Sequence, residues 1–137
     1  MPDSNLNWLL AGDPAIRWQV LRTAREQRRI AKEGWGAKLL ELQDPDGRWA
    51  HGIYNPKWTS TTYTLVLLRS LGLAPGNRQA IRGCRILLDS GFWRDGGINF
   101  YPRRYHRSET CTSSMVLAVL SWFGLDDPRL GIMYTSL

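Results

Sequence analysis

The segment Arg103-Arg104-Tyr105-His106-Arg107 places three guanidinium groups and an imidazole directly before Ser108 and an apolar helical run. Guanidinium forks beside a helix N-terminus can receive an anion such as a diphosphate, because unpaired N–H groups and the helix dipole both favour negative charge there. Arg104 and His106 are the candidate contacts, while Tyr54, Trp58, Trp93, Phe100 and Tyr101 offer rings to line an apolar cavity beside them. His51 and His106 are the imidazoles able to exchange protons near neutral pH. Ser60 and Ser113 have no triad pattern around them, and Asp44 and Asp46, separated by Pro45, belong to turn formation. Cys84, at helical spacing with Ile81 and Leu88, reads as core.

These residues need helices and long loops to position them. Asp13-Pro14 starts a helix with Ile16, Val20 and Leu21 as its apolar stripe. A second helix is expected from about Glu26 to Gln43, burying Ile30, Trp35, Ala37, Leu39, Leu40 and Leu42, and the turn Asp44-Pro45-Asp46-Gly47 stops it. A long loop then leads to a helix over Thr59 to Leu71, apolar nearly all round in its lower half and ended by Gly72. Asn77 caps a fourth helix. After the loop from Gly91 to Arg107, a fifth runs from Ser108 through Phe123 to Gly124, and Asp127-Pro128 looks like a further capped start.

Composition narrows the class. The 137 residues suit one domain with a real core, and 43% hydrophobic against 22% charged residues excludes a disordered polymer. The longest mainly apolar run, from Met115 to Phe123, is far too short for a bilayer span, and the first residues lack the pattern of a secretory signal. A cytoplasmic location with free thiols at Cys84 and Cys111 is the expectation. The net charge is +6, but it is spread over separate elements, which reads as a solubilising surface and not as a nucleic-acid interface. Seven tryptophans point to a fold or cavity built around rings.

The two halves repeat. Setting Leu71-Gly72-Leu73 on Phe123-Gly124-Leu125 lays Thr59-Ser60-Thr61-Thr62 on Cys111-Thr112-Ser113-Ser114 and Trp49 on Tyr101. Units of about 26–73 and 78–125, with 126–137 as the truncated start of a third, would stack because no single unit covers its own apolar face. The fold class expected is all-α, a helical-hairpin repeat.

The junction Leu39-Leu40-Glu41-Leu42-Gln43-Asp44-Pro45-Asp46-Gly47-Arg48-Trp49 resembles the QW repeat of the terpenoid cyclase and protein prenyltransferase superfamily. Gln43, Gly47 and Trp49 carry the pattern, and Trp58-Thr59-Ser60-Thr61-Thr62-Tyr63 fits the entry to the following helix. In the second copy Gly91 stands where Gln belongs, and Asp95-Gly96-Gly97-Ile98 replaces the Gly-x-Trp ending. The resemblance, over roughly residues 34 to 125, implies an (α/α) toroid, here an incomplete ring, with 59–71 and 111–123 as inner helices. Gln43 would satisfy backbone groups at a helix end, and Trp49 would staple neighbouring helices.

The resemblance also bears on chemistry. Cyclases of this superfamily protonate their substrates from an Asp-x-Asp-Asp motif, and Thr59-Ser60-Thr61-Thr62 and Cys111-Thr112-Ser113-Ser114 carry no carboxylate. Prenyltransferases hold zinc with Asp, Cys and His. Glu109-Thr110-Cys111 after Gly96-Gly97 is similar in layout, with Glu for Asp and no third ligand one repeat further on, so no cofactor is expected and a partly buried Cys111 is the reading preferred to zinc. The function implied is a helical-repeat protein binding an apolar or isoprenoid-type ligand through Tyr54, Trp58, Trp93, Tyr101, Arg104, His106, Glu109 and Cys111, with any catalysis left open. The alternatives are a catalytically incomplete front part of a longer enzyme, or a carbohydrate-binding toroid related to polysaccharide lyases. Partners would be that small molecule, no nucleic acid, and either a second copy or a missing C-terminal half to complete the ring.

Overall fold

The computed structural model describes residues 4–137. Among them the regular elements are all helical: α1 (Ser4–Leu10), α2 (Pro14–Leu21), α3 (Ala24–Arg29), α4 (Gly34–Glu41), α5 (Thr61–Leu71), α6 (Arg78–Gly91), α7 (Thr110–Phe123) and α8 (Arg129–Ser136). Helix α5 packs against α4, α6 and α7, and α7 against α5, α6 and α8, while α2 joins α1 and α3 to α4. Apolar side chains of α5, α6 and α7, among them Leu65, Leu68, Leu87, Leu88, Leu120 and Phe123, form the centre of the core. Trp49 and Ile98 enter it from the two long loops and Met133 from α8. The last helix thus packs on α7.

The helix expected over 26–43 is two helices. Gly34 sits at φ +68°, and a Cβ there would lie 2.0 Å from a carboxylate oxygen of Asp13, so the chain turns sharply where glycine alone fits. That carboxylate accepts from Ala15 N–H at the start of α2 (2.8 Å) and from Trp35 N–H in the first turn of α4 (2.8 Å). The break resets the register of α4. Leu40 stays buried, but Trp35 is turned outward under the Lys38 ammonium, and Leu42, past the helix end, is 66% exposed. On α2 the buried face is Pro14 and Ala15 with Trp18 half-buried, so Ile16 and Leu21 are exposed instead of forming the inward stripe. Helix α1 lies where the sequence gives no clear signal. Leu67 on α5 is also exposed, because α4, α6 and α7 cover the other faces of that helix.

Both long loops close with the same hydrogen bonds. Asp44 N–H donates to Arg48 O (2.7 Å) and Trp93 N–H to Gly97 O (2.9 Å). Gly47 and Gly96 take φ +95° and +88° at matching places. Trp49 N–H then donates to the Thr61 hydroxyl (3.0 Å), and Ile98 N–H to the Ser113 hydroxyl (2.7 Å). The counterpart of Trp49 in this geometry is Ile98, not Tyr101, and the counterpart of Gln43 is Phe92, not Gly91: Gln43 bridges to Trp49, and Phe92 to Ile98. The register slips because the second loop holds 15 residue steps between its closing pair where the first holds 12.

Candidate functional site

At the α4–loop junction, Gln43 donates from Nε2 to Gly47 O (2.9 Å) and to Gln79 O (3.0 Å), and Gln79 Nε2 donates to Leu40 O (3.0 Å). Carbonyls near the end of α4 and the first residues of α6 are thereby paired across the hairpins. The Trp49 ring is 2% exposed, its indole N–H donates to Leu39 O (2.7 Å), and a Cβ added to Gly83 would come within 2.9 Å of it. Trp49 therefore wedges among α4, α5 and α6 as a structural staple.

The hydroxyl-rich start of α5 is likewise consumed internally. Ser60 Oγ donates to Tyr54 O, Thr61 Oγ1 to Gly52 O and Thr62 Oγ1 to Ile53 O, at 2.6 to 2.9 Å. Thr112 Oγ1 donates to the Glu109 carboxylate (2.9 Å) at the start of α7. These groups hold the loops onto the starts of α5 and α7. Fully used hydroxyls are poor candidates for chemistry.

Two open features remain at this end of the molecule. The first is a cleft of about 260 Å³ between α4 and α5, with Leu39, Leu42, Trp49 and Leu67 as its apolar lining, Thr64 on the α5 side and Trp58 at its edge. Trp58 is 71% exposed and takes φ +76°, a conformation in which a bulky side chain is strained. Asp44, the carboxylate in the lining, accepts from His51 N–H (2.8 Å), and His51 Nδ1 lies 3.3 Å from it with the imidazole in solvent.

From Trp58 a row of rings runs toward the second loop. Trp58 to Tyr63, Tyr63 to Tyr54 and Tyr54 to Tyr101 are centroid steps of 5.1, 5.3 and 6.1 Å, and Phe100 lies 5.9 Å from Tyr54. The Tyr63 hydroxyl donates to that of Tyr54 (3.0 Å). Asn55 donates to the Tyr101 hydroxyl, so the two loops meet. The enclosed space beside Tyr54, Tyr101 and Thr112 is only about 10 Å³, the size of one water.

The second feature is the arginine loop. Its backbone is fixed from within: Asn99 Nδ2 donates to Tyr105 O (2.8 Å), the Trp93 indole to His106 O (3.2 Å), and Ser108 N–H to Asp95 (2.8 Å). That last bond holds the Asp95 carboxyl below its usual range. With the carbonyls turned inward, Arg103, Arg104, His106 and Arg107 are all exposed, the last three around a shallow depression of about 420 Å³ that also includes Glu109.

Tyr54, Trp58 and Tyr101 thus share one row, and Arg104, His106 and Glu109 share the depression. Trp93 acts as an anchor for the loop. Cys111 is exposed, not partly buried, because the first turn of α7 projects beyond the core; its Sγ lies 4.0 Å from the Thr112 hydroxyl. Among the described residues no group of three or more His, Cys, Asp and Glu side chains is placed to hold a metal ion, so Glu109 and Cys111 have no third ligand. Sequence reasoning missed Tyr63, Leu42 and Leu67 as surface of the site. Their signal was an apolar helix with one face more than its neighbours could cover.

No family model, curated protein or solved structure matches the chain. No described helix is long and apolar enough to cross a membrane.

Proposed function

We propose that the chain is a helical-repeat ligand-binding domain, with α4–α5 and α6–α7 as two stacked units and α8 opening a third, of the toroid kind built by terpenoid cyclases and protein prenyltransferases. The paired loop closures at Trp49–Thr61 and Ile98–Ser113 support the repeat. The cleft beneath Trp58 supports the ligand class. Its lining is mainly apolar and its volume, about 260 Å³, is at the small end for ligand pockets, so it takes one end of an isoprenoid-type chain and not the whole. The arginine loop is suited to an anionic head. Asp44, already accepting from His51, and Glu109, bonded to Thr112, are not arranged to protonate an alkene, so the reading is binding without cyclisation.

The hydroxyls of Tyr54, Tyr63 and Tyr101 beside the exposed Trp58 indole also suit hydrogen bonding to an oligosaccharide, and this gives the second reading. Titration of tryptophan emission separates the two. The proposal expects saturable quenching by farnesyl diphosphate that is lost in Trp58→Ala. Saturable quenching by a neutral oligosaccharide and none by the isoprenoid would overturn it.

A further inference from the structure

The ring contact of Tyr54 with Tyr101, and the hydrogen bond from Asn55 to Tyr101, set the 50–58 and 99–107 loops side by side. Exposed side chains flank that contact, and those of Leu42 and Leu67 join Trp58 through the cleft they line. Trp58 (71% exposed), Leu42 (66%) and Leu67 (44%) supply apolar surface, and Lys57, Arg103, Arg104 and Arg107 supply positive charge. Among the described residues none of these four cations is in an ion pair. The arginine loop is held by donors from Asn99 and Trp93, so presenting its charges requires little further ordering.

We propose that this face docks on an anionic membrane surface, with Trp58, Leu42 and Leu67 entering the lipid interface and Lys57, Arg103, Arg104 and Arg107 meeting lipid phosphates. Charge complementarity selects an anionic partner, and the state of the rings selects lipid over nucleic acid. Stacking a base needs a free flat ring face. The Trp58 ring carries the Lys57 ammonium 5.0 Å from its centroid and Tyr63 at 5.1 Å, tilted by 56°, and Tyr105 carries the Arg104 guanidinium at 5.3 Å. Each ring thus has a cation seated beside it, an arrangement that places the ring at the acyl boundary and the charge among headgroups. Leu42 and Leu67 add aliphatic surface that a nucleic acid would not use. With no described helix able to span a bilayer, the attachment is peripheral. The proposal shares Trp58, Leu42 and Leu67 with the cleft but does not require a ligand in it.

Co-sedimentation of the full chain with vesicles tests it. Vesicles of phosphatidylcholine with about a third phosphatidylglycerol should bind roughly a hundredfold more tightly than phosphatidylcholine alone, and the binding should fall as salt rises. Trp58→Ala should weaken binding about tenfold, and the triple change Arg103→Gln, Arg104→Gln and Arg107→Gln about a hundredfold. All four side chains are exposed, so the variants should keep the parent's circular dichroism. The proposal is overturned if the chain stays in solution with anionic vesicles, or if Trp58→Ala binds them as tightly as the parent. It is equally overturned if an oligothymidine binds more tightly than the vesicles. None of these results depends on whether farnesyl diphosphate quenches the protein, so the two proposals fail separately.

Discussion

The Asp13 carboxylate caps the first turn of α2 at Ala15 and, with its other oxygen, receives Trp35 N–H from the start of α4, 22 residues away. One side chain thereby sets two helix starts and the angle between them. Replacing Asp13 with Ala should remove both bonds and cost about 1–2 kcal/mol. Gly34→Ala should cost about 1–3 kcal/mol, since φ +68° and the Asp13 oxygen both oppose a Cβ. Urea denaturation measures both; a neutral Gly34→Ala would show that the turn at residue 34 relaxes freely.

Trp49→Phe keeps a ring in the core but leaves Leu39 O without the indole donor. The expected loss is about 1–3 kcal/mol. Trp35→Phe, on the exposed face of α4, should stay within about 0.5 kcal/mol of the parent. Equal effects from the two would mean that Trp49 does not tie α4 to its neighbours.

The two thiols should differ sharply in reactivity. Burial pushes the Cys84 thiol up to about 12, whereas Cys111 is exposed at the start of α7. A thiol-specific disulfide reagent should modify one cysteine in the native protein and two in denaturant. Cys111→Ser should abolish the native reaction.

Acid should weaken the attachment of α8. Hydrogen bonds from the Arg129 side chain and N–H lower Asp127 from 3.8 to about 2, and Arg129 also reaches Asp89 at 2.6 Å. A carboxyl depressed in the folded state stabilises it above the unfolded value and loses that contribution as pH falls through the folded one. The stability gap between the parent and Arg129→Gln should therefore be constant above about pH 4 and narrow toward pH 2. Parallel curves over that range would exclude the pair as the cause.

The helical class, the turn at 44–47 and the glycine ends of α5 and α7 were legible, because Asp-Pro-Asp-Gly, Leu-Gly-Leu and Phe-Gly-Leu act locally. The break at Gly34 was not. It depends on Asp13, which is distant in sequence, and a period count cannot see a tertiary cap. The same cause moved Trp35 outward. At the site, the aromatic residues of the loops were visible as candidates, but Leu42 and Leu67 looked like core because apolarity alone does not say which face of a helix goes uncovered. The pairing of Trp49 with Tyr101 missed the lengthened second loop, whose extra residues carry no helical signature.

The loop closures also bear on the order in which the chain folds. Trp49 reaches Thr61 and Ile98 reaches Ser113 across 12 and 15 residues, whereas the bonds that join one hairpin to the next, Gln79 to Leu40 and Trp122 to Leu73, span 39 and 49. Short closures form early and cheaply, and long ones wait for them. During synthesis, the first loop can close as soon as Thr61 clears the ribosome and the hairpin of α4 and α5 once Leu71 has followed, and it then serves as the template on which α6 and α7 assemble.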